Sequence, residues 1–115
     1  MNNIDNLSNR LIEFRDDREW SKFHTPKNLI MALNGEVGEL SSLVQWMTDS
    51  EIINSSMQVK ESIGYEMADI FIYLVNLSNA LNIDLIQAAS EKININESRY
   101  PVNKCKGVST KAGDL

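Results

Sequence analysis

Apolar residues recur every three or four positions along most of this chain, which is the spacing of one face of an α-helix. Ile4, Leu7, Leu11 and Phe14, followed by the polar run "RDDRE", predict a first helix over residues 4–19. "WSKFHTP" breaks the pattern. Thr25 then suits an N-cap and Pro26 the first turn of a second helix, because proline lacks only an N–H that has no helical partner there. That helix is expected to run to about Thr48, with Leu29, Leu33, Val37, Leu40, Leu43, Val44 and Met47 as its stripe.

"TDSEIINSS" reads as a turn, with Ser55 or Ser56 as the next cap. A third helix is expected over residues 57–81, burying Val59, Ile63, Met67, Ile70, Phe71, Leu74, Leu77 and Leu81. "NID" interrupts it, and Asp84 is placed to cap a fourth helix that presents Leu85, Ile86, Ala89 and Ile93 and ends near Glu97. Pro101 stops that helix, and "VNKCKGVSTKAGDL" reads as a tail. No segment alternates as a strand should, and no repeat is present. The expected architecture is all-α: an antiparallel bundle of about four helices over residues 1–101 and a tail over 102–115. The stripes are wide for so short a chain, so a second subunit is expected to complete the core.

Two interruptions of the pattern carry chemistry. On a wheel of about 100° per residue, with Leu29 at zero, Glu36 falls near about −20°, inside the apolar arc, and Glu39 near about −80°, at its edge beside Ala32 and Trp46. On the third helix, with Ile63 at zero, Glu66 lies near about −60° and Asp69 near about −120°, with Tyr73 between them. "EVGE" and "EMAD" are thus two acidic pairs of equal spacing, each at the edge of a buried stripe. Packed helices would bring these edges together. Four carboxylates in a partly dry seam repel, and removing each from water costs several kcal/mol, so they need protons or a hard divalent cation. Mg²⁺, which takes oxygen ligands and keeps some water, fits such an open cage. Gly35 and Gly38 bracket the first pair, and their presence in a helix predicts a close approach to the backbone. The plainer alternative is that these acids form surface ion pairs, for example with Lys60 or Arg15.

Composition narrows the partners. The chain has 115 residues, enough for one modest core, with 43% hydrophobic and 23% charged residues. Its net charge of −5 argues against nonspecific nucleic-acid binding, which needs clustered cations. A small anion remains open if a metal supplies the charge. Cys105 is the single cysteine, which excludes an intrachain disulfide and makes a thiolate zinc site untenable. No apolar run reaches the roughly 18 residues of a membrane span, and the N-terminus lacks the pattern of a secretory signal. The expectation is a soluble cytoplasmic protein with no membrane partner.

"EVGELSSLVQW", followed by "EMADIFIYLVNLSNALNIDL", resembles the MazG-like all-α nucleoside triphosphate pyrophosphohydrolases, and most of all their dCTP pyrophosphatase branch. "DREWSKFHTPKNLIMALNGEVGEL" and "KININESRYPV" extend the resemblance over nearly the whole chain. It implies that Glu36, Glu39, Glu66 and Asp69 hold Mg²⁺. It implies cleavage between the α- and β-phosphorus of a (deoxy)nucleoside triphosphate, in a homodimer or homotetramer whose sites form at the subunit contact. Trp20, Trp46 and, more loosely, His24 match positions that line the base pocket. Asn28, Lys92, Asn96 and Tyr100 match positions near phosphate or sugar, and Tyr73 matches the tyrosine beside the acidic pair. Within that frame Glu39 is assigned as the general base, and Lys92, with Arg99 as a second candidate, as the cation facing the leaving pyrophosphate. Asn94 and Leu11 depart from residues common in the family, and the connection between helices two and three is shorter, which bears on base choice more than on metal binding. The rivals are a dUTP-preferring relative and a noncatalytic helical dimerisation module whose acids are structural.

Overall fold

The structure is a computed structural model and describes residues 3–115, so the first two positions of the expected 1–101 domain lie outside the described residues. It is all-α, with no strand among the described residues. Helices α1 (Asn3–Asp17), α2 (Pro26–Val44), α3 (Asp49–Ile53) and α4 (Met57–Leu81) belong to one compact unit that ends at Asn82. Helices α5 (Leu85–Arg99) and α6 (Val102–Cys105) belong to a second unit, Ile83–Leu115. Among the described residues no single helix is long and apolar enough to cross a membrane.

Local chemistry sets the boundaries. The Thr25 hydroxyl accepts from the Asn28 N–H at 3.3 Å and Pro26 occupies the first turn of α2, as expected. Ser56 caps α4 by accepting from the Val59 N–H at 3.2 Å, and Asp84 caps α5 by accepting from the Gln87 N–H at 3.0 Å. Asn82 ends α4 in a left-handed conformation (φ 54°), a region asparagine tolerates better than most residues.

Two expectations fail on boundaries. "TDSEIINSS" contains α3 rather than a bare turn. Thr48 accepts from the Glu51 N–H at 3.2 Å, and the Glu51 carboxylate accepts from the Thr48 N–H at 3.2 Å. This reciprocal box starts a helix at the point where the second helix was expected to be ending. Accordingly α2 stops at Val44, and residues 45–47 turn. The segment read as a tail carries α6 and a short 3-10 turn at Ala112–Asp114.

In the first unit α4 packs along α2 and, less extensively, against α1. The fully buried positions are Leu29 of α2 and Val75 of α4, each 2% exposed. Val75 was not on the expected stripe, while Met67, Phe71 and Leu81, which were, are exposed. So are Val37 and Leu43 on α2 and, in the second unit, Ile86 and Ile93. The apolar arcs are real, but one chain covers only part of each. One polar pair crosses the packing: the Ser8 hydroxyl and the Asn79 carboxamide of α4 exchange hydrogen bonds of 3.1 and 2.9 Å. A part-buried pair satisfied in both directions fixes the register of α1 on α4, because a slipped alignment would orphan both groups.

Candidate metal centre

The acidic pairs meet across α2 and α4. Glu36, Glu39 and Glu66 each offer an oxygen within 4.8 Å of the other two. Glu36 and Glu66 are half-buried and Glu39 is exposed. Asp69 lies outside this triad but near enough for its charge to act on Glu36. One oxygen of Glu36 and one of Glu66 are buried without any hydrogen-bond partner. Buried polar atoms are nearly always paired, so two orphaned carboxylate oxygens in one seam call for a bound cation or a proton.

The Glu36 carboxyl responds as such a seam requires. Burial pushes its pKa from the ordinary 4.5 to about 7, helped by the Glu66 carboxyl it would hydrogen-bond when protonated and by the charges of Glu39 and Asp69. Among the described residues no cation pairs with these carboxylates. The salt bridge seen among the described residues joins Arg15 to its neighbour Asp16 at 2.9 Å, so the ion pairs offered above as a plainer account, through Lys60 or Arg15, are not made. All-oxygen donors on two packed helices, one of them open to solvent, suit a hard divalent ion that keeps water ligands.

The glycines beside the triad differ from expectation. A Cβ built on Gly35 or Gly38 would meet nothing within 4 Å. No part of the described chain approaches that backbone, so any close neighbour has to come from outside it.

The remaining matched residues of the first unit fall as follows. Trp20 is half-exposed just beyond α1, and the 3-10 turn Ser21–Phe23 leads to His24. His24 is held below the ordinary histidine range, mainly by burial and then by the Arg15 charge, which favours the neutral ring near pH 7. The Asn28 side-chain amide donates to the Phe23 carbonyl at 3.1 Å, so it braces this connection and keeps its oxygen as the free end. Tyr73 is half-buried on α4. Trp46 is 89% exposed because α2 has already ended, so its wheel position beside Glu39 does not apply. An indole so uncovered has no packing role within its own chain. In the second unit, Lys92 and Asn96 are exposed on α5, and Tyr100 caps that helix with its N–H on the Asn96 carbonyl at 2.8 Å. Arg99 lies 5.8 Å from the centre of the Tyr100 ring.

Residue reasoning missed the contribution of Arg18 and Phe14. The Arg18 guanidinium carbon sits 3.6 Å from the centre of the Phe14 ring, and that ring is edge-on to Trp20. The signal was present as a Phe–Arg pair four residues apart at a helix end, but it reads as an ordinary surface pair until Trp20 is placed.

Comparisons with known proteins place the chain among relatives. Residues 31–115 match the model of the MazG-like family. Proteins named dCTP pyrophosphatase 1 are similar: that of Rattus norvegicus is 43% identical over 105 residues and that of Homo sapiens 41% identical over 105 residues. These alignments take in 90% of this chain but span only 62% of the length of each relative. A crystal structure of a pyrophosphatase from Archaeoglobus fulgidus superposes with a TM-score of 0.83 at 37% identity, covering 88% of this chain and 94% of that one.

Proposed function

The chain belongs to the MazG-like family, and from that premise we propose that it is a Mg²⁺-dependent pyrophosphohydrolase of (deoxy)nucleoside triphosphates, acting on a dCTP-like substrate. The observation that carries this reading is the seam between α2 and α4, where three glutamates converge and two buried oxygens lack partners. Relatives named dCTP pyrophosphatase 1 supply the substrate class.

Glu36, Glu39 and Glu66, with Asp69 at the margin, would hold the cation. Bound there, Mg²⁺ would supply charge neutralisation and Lewis acidity at the phosphates. The protein's own groups do the rest. Glu39 is the exposed member of the triad and is therefore the carboxylate free to take a proton from an attacking water. Trp20 and Trp46 offer exposed indoles for stacking on a base, and His24, four residues after Trp20, is a hydrogen-bonding ring that favours its neutral form. Asn28 and Tyr73 are assigned to the substrate by the resemblance, as are Lys92, Asn96 and Tyr100 of the second unit, with Lys92 as the cation for the departing pyrophosphate.

We also propose that the working form is a homodimer or homotetramer. Gly64, Met67, Ala68, Ile70, Phe71 and Leu74 line an apolar groove of about 520 Å³ on α4, and Met67 is 57% exposed. A single chain leaves this surface uncovered, and a second copy offers an equivalent apolar surface to cover it.

A panel of canonical and modified dNTPs with Mg²⁺, scored for both monophosphate and pyrophosphate, tests the activity. Equimolar release of the two products, highest for a cytosine nucleotide and abolished by chelation, is expected. A best rate on dUTP would move the assignment to that relative. No release from any nucleotide would leave a noncatalytic module.

A further inference from the structure

Helix α1 ends in a way that fixes the residue after it. The Trp20 N–H donates to the Arg15 carbonyl at 3.0 Å and the Glu19 N–H to the Asp16 carbonyl at 3.1 Å, the paired bonds of a Schellman ending. The left-handed position in this motif is usually glycine, yet here it is Glu19, with φ 53°. The chain is thereby folded back so that the Trp20 ring meets Phe14 edge-on, with centroids 5.8 Å apart and planes at 75°. An apolar contact between these two positions accompanies many such endings, so on its own it is a folding device.

Arg18 adds something the motif does not require. Its guanidinium lies 3.6 Å from the centre of the Phe14 ring, and its Nη1 donates to the Phe14 carbonyl at 3.0 Å. The pair of contacts holds a long exposed side chain flat against an exposed ring. Phe14 is thus constrained by the guanidinium and by the indole, while Trp20 keeps 41% of its own surface open. A half-exposed indole held at its backbone by the hydrogen bond to Arg15 and at its ring by Phe14 is pre-set in orientation. A stacking surface gains most from that, because a loose ring must be immobilised when the ligand arrives.

We propose that Phe14 and Arg18 are positioning residues that set the plane of the Trp20 indole for stacking on the base of a bound nucleotide. This rests on the nucleotide reading above. The test is calorimetric binding to the 115-residue chain with Mg²⁺, using dCMP as the base-bearing probe and inorganic tripolyphosphate as the base-free one.

Phe14→Ala should weaken dCMP by roughly three- to tenfold, as expected for losing an aromatic pair. Tripolyphosphate affinity should stay within about twofold of the parent value on the same reasoning, since it has no base to stack. Phe14→Tyr, which keeps the ring, should restore dCMP binding. Unchanged dCMP affinity in Phe14→Ala would overturn the proposal, and so would an equal loss for both probes, which is what a general structural lesion gives. If circular dichroism shows that Phe14→Ala does not fold, Phe14→Leu carries the same comparison. Turnover is read separately: a parent protein that binds dCMP but releases no pyrophosphate from any dNTP defeats the enzymatic reading and leaves this one standing. A parent that binds no dCMP defeats this one.

Discussion

Glu36 is the carboxyl of the seam whose pKa is raised. Its carboxyl has an orphaned buried oxygen and is crowded by Glu66, Glu39 and Asp69, with burial the largest cause of its raised pKa. A residue in that position is poor for stability and useful for holding a cation, so function and stability should separate on substitution. Glu36→Gln keeps the shape, removes the charge and offers an N–H to the Glu66 carboxylate. The metal-free variant should melt at a higher temperature than the parent at pH 8, while Mg²⁺-dependent pyrophosphate release falls by at least about a hundredfold, the scale of losing a key electrostatic group. A variant with parental turnover would remove Glu36 from the site.

At the scale of elements, helix α2 holds two glycines that nothing in the described chain explains. Glycine in a helix interior costs roughly 0.5–1 kcal/mol relative to alanine. Gly38→Ala meets open space, so it should raise the stability of the isolated chain by about that amount in urea unfolding. The same variant should lose assembly or turnover if a second copy or a nucleotide packs on that bare backbone. Stabilisation with both retained would show that the glycine has no such role. The helix starts, by contrast, were legible from residues alone. Thr25, Ser56 and Asp84 all cap as expected, because a cap is a contact within three residues. The missed element, α3, was written just as locally in the Thr48–Glu51 box, and it was overlooked because its apolar content is too short to show a period.

At the scale of the molecule, two behaviours follow. The folded-state pKa of Glu36 is raised above its ordinary 4.5 to about 7, so the native state binds the extra proton. Its contribution to stability is fully present below about pH 4.5 and is lost as the pH rises through about 7. In differential scanning fluorimetry, metal-free protein should therefore lose stability across that window. Mg²⁺, which requires the ionised form, should stabilise progressively more over the same range. Metal-free melting that rises steadily across the window would contradict the seam described here. The second behaviour concerns assembly. Met67 and Phe71 are exposed on the apolar groove of α4, so Met67→Glu with Phe71→Glu should convert the proposed assembly to monomer by light scattering while α-helical content is kept. A parent of oligomeric mass that the double variant leaves unchanged would take this groove out of the proposed contact, and a monomeric parent would end the proposed assembly.

What the sequence by itself determined about this protein is whatever a few neighbouring residues can encode. That includes the main helices with their caps, the all-α class, and the placing of Glu36 within an apolar arc and of Glu39, Glu66 and Asp69 at arc edges. Only tertiary structure decided which of these carboxylates meet. The wheel treated the four as equals, but the triad is Glu36, Glu39 and Glu66, with Asp69 outside it, because convergence depends on the register and separation of α2 and α4. Tertiary structure also decided that Trp46 is bare, since α2 ends two residues before it, and that Trp20 meets the Phe14 ring edge-on while Arg18 covers that same ring. Burial differed for the same reason. An apolar stripe states which face seeks cover, but whether cover exists depends on how much surface one chain has to offer, and this one fully buries Leu29 and Val75 while leaving Met67 and Phe71 exposed.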